Sequence, residues 1–238
     1  MEGEELKMGT ELIDRFNRVR ENIKETAQKA GRNPEDITLI PISKNHSTDK
    51  IKYLFDYGIK VFGENRVQEL LDKDEKLVDI NIKWHFVGHL QRNKVKYLLR
   101  MDNCLMIESL DSWRLAKTIY KRAQQNGRQI PVLVEVNVSG DDNKFGIKPE
   151  NTVEFIKKTS SLSYIDIQGL MTLAPYLDNP EEARPYFQKL ANLKAKINEQ
   201  GYNLKELSMG MTNDYKIAIE EGATIVRVGT GIFGKRDY

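Results

Sequence analysis

Cysteine is almost absent from this chain: Cys104 is the single one among 238 residues. One thiol excludes an internal disulfide framework and a cysteine-rich zinc site, and it fits a reducing compartment. Charge of one sign is also missing. Lys+Arg 37 against Asp+Glu 35 leaves +2, too even a balance for a nucleic-acid or membrane surface. No run approaches the ~18 apolar residues of a membrane span, and the mean hydropathy is −0.56. The opening Met1-Glu-Gly-Glu-Glu has no basic-then-apolar secretion pattern, so a cytoplasmic protein is expected. Repeats, low-complexity stretches and Pro/Gly/Ser linkers are lacking too. What is present is 39% hydrophobic and 30% charged residues, the balance of a soluble globular chain. Such a length gives one large domain or two small ones and buries roughly 70–75% of the unfolded surface without a covalent staple.

Short β-rich runs alternate with longer amphipathic ones. Glu11–Ala30 opens the series as a helix, with Leu12, Phe16, Val19, Ile23 and Ala27 at helical spacing and Gly31 as its stop. Strand candidates follow at Ile37–Ser43, Lys60–Phe62, Ile82–Val87, Leu105–Glu108, Pro131–Val138, Ile165–Met171, Glu206–Ser208 and Thr224–Val228. Helical segments lie between them at Thr48–Tyr57, Val67–Val78, Ser112–Asn126, Asn151–Ser161 and Glu181–Asn198, with a shorter one near Asn93–Arg100. Strands that are apolar on both faces and separated by helices pair in parallel through crossovers. Eight of them in a chain near the ~250 residues of a (β/α)8 barrel favour that closed α/β fold over an open doubly wound sheet. No glycine-rich phosphate fingerprint follows strand one, which also counts against the open sheet. The reading is one domain over 1–238, with residues 1–31 as an extra N-terminal helix packed on a TIM barrel.

Barrel ligands bind at the carboxyl ends of the strands, and phosphates favour the loops after strands seven and eight. Here those loops read Ser208-Met-Gly-Met-Thr-Asn-Asp214 and Arg227-Val-Gly-Thr-Gly231. Both offer glycine turns and hydroxyls at helix starts, where free N–H groups attract an anion. Strand one ends in Ile42-Ser-Lys44. Desolvation there lowers a lysine's pKa from about 10.4 and frees its amine to attack a carbonyl. A phosphate pocket opposite such a lysine suits a phosphorylated aldehyde or ketone held as a Schiff base. Pyridoxal phosphate and a phosphorylated sugar both qualify.

Several segments extend this pattern: Ile42-Ser-Lys-Asn45, Phe62-Gly-Glu-Asn-Arg-Val-Gln-Glu69 and Trp84-His-Phe-Val-Gly-His-Leu-Gln-Arg-Asn-Lys94. Val134-Glu-Val-Asn-Val-Ser139, Gly169-Leu-Met171, Leu207–Asp214 and Val226–Gly234 continue it. With these the chain resembles the pyridoxal-phosphate homeostasis proteins, single-domain relatives of the alanine racemase barrel (fold type III among pyridoxal-phosphate proteins). The resemblance implies Lys44 as the Schiff-base lysine. It puts Ser208, Met209, Gly210 and Met211 on one side of the phosphate and Gly229 and Thr230 on the other. Asn65 would lie near the cofactor ring, and Arg227 would face the pyridine nitrogen. The chain departs from the pattern at Asn45, where a threonine is common, and at Thr212, where a serine is frequent.

An arginine only donates, so the ring nitrogen keeps no proton of its own and withdraws electrons weakly. The resemblance therefore implies a protein that buffers or delivers pyridoxal phosphate without robust catalysis. Its expected partners are the cofactor and pyridoxal-phosphate-dependent apo-enzymes, with no nucleic acid, membrane or metal, and its expected state is a monomer. The alternatives are an amino-acid racemase using the same lysine and a class I Schiff-base aldolase. Racemisation benefits from acid/base groups on both faces of the substrate, and the second catalytic domain of racemases is not expected in a chain ending at Tyr238, itself read as a surface aromatic.

Other features divide between chemistry and structure. His85 and His89 are four apart but straddle a strand end, which suits barrel lining better than metal ligation. His46 could tune the pocket or be an ordinary loop residue, and Glu64 could orient polar groups or serve a structural hydrogen bond. Asp214 reads as a helix cap and Cys104 as a small buried apolar residue. Arg92, Lys94, Lys96 and Arg100 read as a solvated helix face.

Overall fold

The computed structural model of the chain describes residues 2–234, with side chains from residue 8 onward; Tyr238 lies outside the described residues. Apolar strands that need cover on both faces have formed one parallel sheet. Its strands are β1 (Thr38–Pro41), β2 (Val61–Glu64), β3 (Lys83–Phe86), β4 (Cys104–Leu110), β5 (Ile130–Glu135), β6 (Ile165–Met171), β7 (Glu206–Ser208) and β8 (Ile225–Val228). The sheet runs in the order β1-β8-β7-β6-β5-β4-β3-β2, and every pairing is parallel. A parallel bridge between Ile42 and Gly63, with the Ser43 N–H donating to the Gly63 carbonyl at 3.1 Å, joins β1 to β2 and closes the barrel.

Around it lie α1 (Glu2–Lys29), α2 (Thr48–Asp56), α3 (Val67–Lys76), α4 (Val95–Leu98), α5 (Trp113–Gln125), α6 (Pro149–Thr159), α7 (Arg184–Asn198), α8 (Tyr215–Glu220) and α9 (Thr230–Phe233). Each expected strand and helix is present, with ends shifted by a few residues. One difference carries a physical reason. Helix α1 starts at Glu2, ahead of the expected Glu11, because residues 2–10 are mostly helix formers without an apolar stripe to mark them. Strand β8 is followed by the short α9, whose first residue is Thr230.

The stripe of α1 is buried as its spacing requires: Leu12, Phe16, Val19, Ile23 and Ala27 all belong to the core. This helix packs on α2, α8 and α9, and Arg15 Nε donates to the Ile232 carbonyl at 2.9 Å. The outer core, between strands and helices, includes Phe62, Trp84, Phe86 and Phe187. A separate cluster of Ile40, Ile42, Leu133, Met171 and Ile225 fills the barrel interior. Cys104 is buried as an apolar residue, and burial pushes its thiol up to about 12. Arg92 and Arg100 are exposed, while the Lys94 and Lys96 ammonium groups lie 5.6 and 4.9 Å from the Tyr97 ring centre. Among the described residues no helix is long and apolar enough to cross a membrane.

If α1 is part of the cooperative unit, Leu12→Ala should cost about 2–5 kcal/mol, the range for emptying a buried leucine site. A urea midpoint equal to that of the unaltered protein would show that α1 folds separately.

Candidate functional site

The carboxyl ends of the strands surround a cavity of about 840 Å³. Lys44 after β1, Asn65 after β2, Gly88 and His89 after β3, Glu135 at the end of β5 and Arg227 on β8 all face it. The loops after β7 and β8 contribute Met211 to Asp214 and then Gly229 and Thr230. Among the expected site residues, Lys44, Asn65, Met211, Arg227, Gly229 and Thr230 therefore share one cavity. Ser208, Met209 and Gly210 lie behind it and are buried, with the Met209 side chain in the outer core.

Arg227 is the centre of the polar floor and only 3% exposed. Its Nη1 donates to Ser208 Oγ and its Nη2 to the Thr172 carbonyl at 2.8 Å. Glu108 Oε2 lies 3.7 Å from Nη1 and accepts from Ser208 Oγ at 2.5 Å. The other Glu108 oxygen is 2.7 Å from His85 Nδ1. Burial alone would raise the Glu108 carboxyl, but His85, Arg227 and Ser208 reverse this and hold it below the usual carboxylate range. Burial lowers the Arg227 guanidinium from its ordinary value, opposed by Glu108, Glu135 and Asp214. His85 thus lines the barrel through a carboxylate. His89 bonds Asp111 at 2.8 Å and stacks on Phe145 with ring centres 3.6 Å apart. Among the described residues no group of three or more His, Cys, Asp or Glu side chains could hold a metal.

The loop after β7 turns at Gly210 with φ +90°, and a Cβ there would stand 2.6 Å from Ala218 Cβ and 2.8 Å from Tyr215 Cα. Only glycine allows this turn to lie so close to α8. Asp214 holds the N-cap position of α8 but makes no side-chain capping bond; its Oδ1 accepts from the Met211 N–H at 2.6 Å. The expected cap is thus a clasp across the loop, because Met211 brings a nearer free donor. The Gly231 N–H donates to Thr212 Oγ1 at 3.3 Å and ties the two glycine loops together. On the opposite wall, a Cβ on Gly88 would fall 2.0 Å from the Asn65 carbonyl oxygen. Asn65 Oδ1 is buried and has no hydrogen-bond partner in the protein, so an acceptor is held ready beside the cavity.

Lys44 sits in a turn between β1 and α2. The next residue, Asn45, has φ +60° and is the only non-glycine in the left-handed region among the described residues; asparagine tolerates that region better than a β-branched residue does. Behind the turn, Lys73 Nζ donates to the Ser43 carbonyl at 2.6 Å, Glu64 Oε1 at 2.5 Å and Glu69 Oε1 at 2.8 Å. Ser43 Oγ donates to Glu64 Oε1 at 2.7 Å, and the Asn45 N–H donates to Glu69 Oε1 at 2.5 Å. Burial raises the Glu64 carboxyl, against the pull of Lys73 and Ser43. Glu64 therefore makes the structural bond that was one of its two readings. His46 is buried and stacks on Phe233, ring centres 5.0 Å apart.

Sequence reasoning missed Glu69, Lys73, Glu108 and Glu135. A signal existed for the last two, since each is a charged residue near the end of an apolar run, as Lys44 is. Burial first and Asp111 second push Glu135 up to about 7, against Arg227.

Comparison with known proteins places these features in context. A family model described as the N-terminal domain of alanine racemase matches residues 15–237. A pyridoxal phosphate homeostasis protein from Aquifex aeolicus is 48% identical over 227 residues, covering 94% of this chain and 98% of that one. The structure of PipY from Synechococcus elongatus with pyridoxal phosphate bound superposes with a TM-score of 0.79 at 35% identity, covering 89% of this chain and 100% of that one. The crystal structure of a protein from Bifidobacterium adolescentis, described only as unknown, gives 0.89 at 34%, covering 95% and 96%.

The raised Glu135 carboxyl makes a pH prediction. The folded state holds this proton more tightly than the unfolded chain, so stability falls as pH rises from 4.5 to about 7. The loss amounts to roughly 3 kcal/mol at about 1.4 kcal/mol per pKa unit. Glu135→Gln should remove that slope and leave the variant more stable above pH 7 in urea titrations. Parallel stability curves for the two proteins would disprove the assignment.

Proposed function

Because the chain belongs to the family of alanine racemase N-terminal domains and pyridoxal phosphate homeostasis proteins, we propose that it binds pyridoxal phosphate and holds it covalently on Lys44. The observation that carries this reading is the joint placement of Lys44, Arg227 and the two tied glycine loops on one cavity. The residues fit the group. The cavity of about 840 Å³ has room for it, and the orphaned Asn65 Oδ1 offers an acceptor. When bound, pyridoxal phosphate supplies an aldehyde for a lysine amine and a pyridine ring as an electron sink.

In this reading Lys44 provides the amine. The Gly229 and Thr230 end of the β8 loop, with the Met211–Thr212 side of the β7 loop, receives the phosphate, and Asn65 contacts the ring. Arg227 donates to the ring nitrogen. A guanidinium whose charge is answered by Glu108 keeps its own protons and takes none, so the ring nitrogen stays unprotonated and the electron sink is weak. These residues suit reversible storage better than turnover. The chain then acts as a cytoplasmic monomer that buffers the cofactor or delivers it to apo-enzymes.

One observation favours the racemase alternative. Strands β1 and β5 are separated by three strands along either way round the barrel, so Glu135 reaches the cavity from the side opposite Lys44. A carboxyl near pH 7 at that place can hold or release a proton. Solvent deuterium appearing at the α-carbon of an amino acid, and lost in Lys44→Ala, would make the protein a racemase.

Mixing with pyridoxal phosphate, reducing with borohydride and mapping peptides by mass should place the adduct on Lys44. Lys44→Ala should lose both the adduct and the visible absorbance band. An adduct on another lysine, or none, would overturn the reading.

A further inference from the structure

The turn that carries Lys44 is held on both sides by side chains from α3. On one side the Ser43 carbonyl accepts from Lys73 Nζ at 2.6 Å. On the other the Asn45 N–H donates to Glu69 Oε1 at 2.5 Å. Glu69 and Lys73 are one helical turn apart and joined at 2.8 Å, so they act as a single clamp. The third donor of the ammonium goes to Glu64 at the end of β2, 2.5 Å away, which saturates the group.

Stability alone is a weak reason for such a clamp. Lys73 is 6% exposed and Glu64 0%, and an ion pair taken this far out of water is often no more stabilising than well-packed apolar side chains. What the clamp does fix is a conformation the chain would otherwise avoid, the left-handed Asn45. That backbone turns the Asn45 N–H towards Glu69 while Lys44, one residue earlier, lines the cavity. Removing the clamp would free the turn to relax and carry the Lys44 amine away from its target.

We infer that Glu69 and Lys73 are positioning residues that set the direction, and hence the reactivity, of Lys44. The inference rests on the reading of Lys44 as the capturing amine. Capture joins the Lys44 nitrogen to the aldehyde carbon, and the carbonyl oxygen leaves as water. Its rate depends on the amine standing at the cavity wall, and a displacement of about 1 Å in a reacting group can cost 10²-fold.

Removing Lys73 would strand Glu64 in the core and could unfold the protein, so the test uses Glu69. Its side chain is 20% exposed, and the Asn45 N–H it would leave is exposed to water. Glu69→Ala and Glu69→Gln are compared with the unaltered protein, first without cofactor. Reductive methylation by formaldehyde and cyanoborohydride is followed at Lys44 against the exposed Lys29 in the same digest. The growth of the imine band on mixing with pyridoxal phosphate is the second readout, and the urea midpoint the third. Glu69→Ala should slow both reactions at Lys44 by on the order of 10- to 100-fold, with Lys29 labelling and the urea midpoint little changed. Glu69→Gln keeps the acceptor oxygen and should restore most of the rate. Labelling of Lys44 at the original rate in Glu69→Ala overturns the inference. So does a slowing that tracks a fallen urea midpoint and is not rescued by glutamine. If the unaltered protein takes no pyridoxal phosphate on Lys44, the proposed function fails, and the methylation series still decides this point.

Discussion

A guanidinium sealed inside a barrel cannot shed its proton, so the barrel has to bring it a counter-charge. Arg227 receives that charge from Glu108, which His85 and Ser208 hold in place. The bonds run from β3 and β4 across to β7 and β8, and the Thr172 carbonyl adds the loop after β6. One buried cation therefore obliges much of the barrel to present polar groups at a single level. That level is the floor of the cavity. Barrel interiors are usually filled by layers of branched apolar side chains, and such a layer does exist one step down.

The step is the two-residue period of a strand. Leu133 belongs to the interior cluster, and Glu135 follows on the same face of β5. Met106 packs on that cluster, and Glu108 follows it on β4. Ile225 is followed by Arg227 on β8, and Ile42 by Lys44 beyond β1. An apolar ring thus supports a charged ring directly above it. The close packing of the lower ring fixes where the strand-borne charges Glu108, Glu135 and Arg227 point, and these need not be placed by loops.

This layering explains what could be read from the sequence. Apolar runs with helical segments between them give the eight strands and their parallel pairing, and all eight are present. Lys44, Arg227 and the two glycine loops were legible because strand ends and glycine turns are local features. The partners of these groups were not. Glu108 meets Ser208 across 100 residues and Arg227 across 119 by their numbers, and no local pattern pairs residues so far apart. The clamp on Lys44 was hidden for another reason. Glu69 and Lys73 look like an ordinary surface pair on an amphipathic helix, and only the closure of β1 onto β2 at Ile42 and Gly63 puts them against Ser43 and Asn45. Asp214 was misread through a similar ambiguity, since a carboxylate before a helix can serve either the helix or the loop that precedes it.

Two buried cations consequently divide the work in different ways. Arg227 is held by a carboxylate and a hydroxyl buried behind the cavity wall, so its guanidinium reaches both the core and the ligand space. Lys73 spends all three donors on the protein and none on the cavity. In the proposed reading the first charge acts on what is bound, while the second acts on the chain that binds it. A site meant for rapid turnover gains from proton donors and acceptors tuned close to neutral pH, and in this ring Glu135 is held there, at about 7. Glu108 and Arg227 are instead held by their mutual pairing and by His85 and Ser208. In the proposed reading such an arrangement suits retention of a ligand, with a titratable carboxyl on the β5 side.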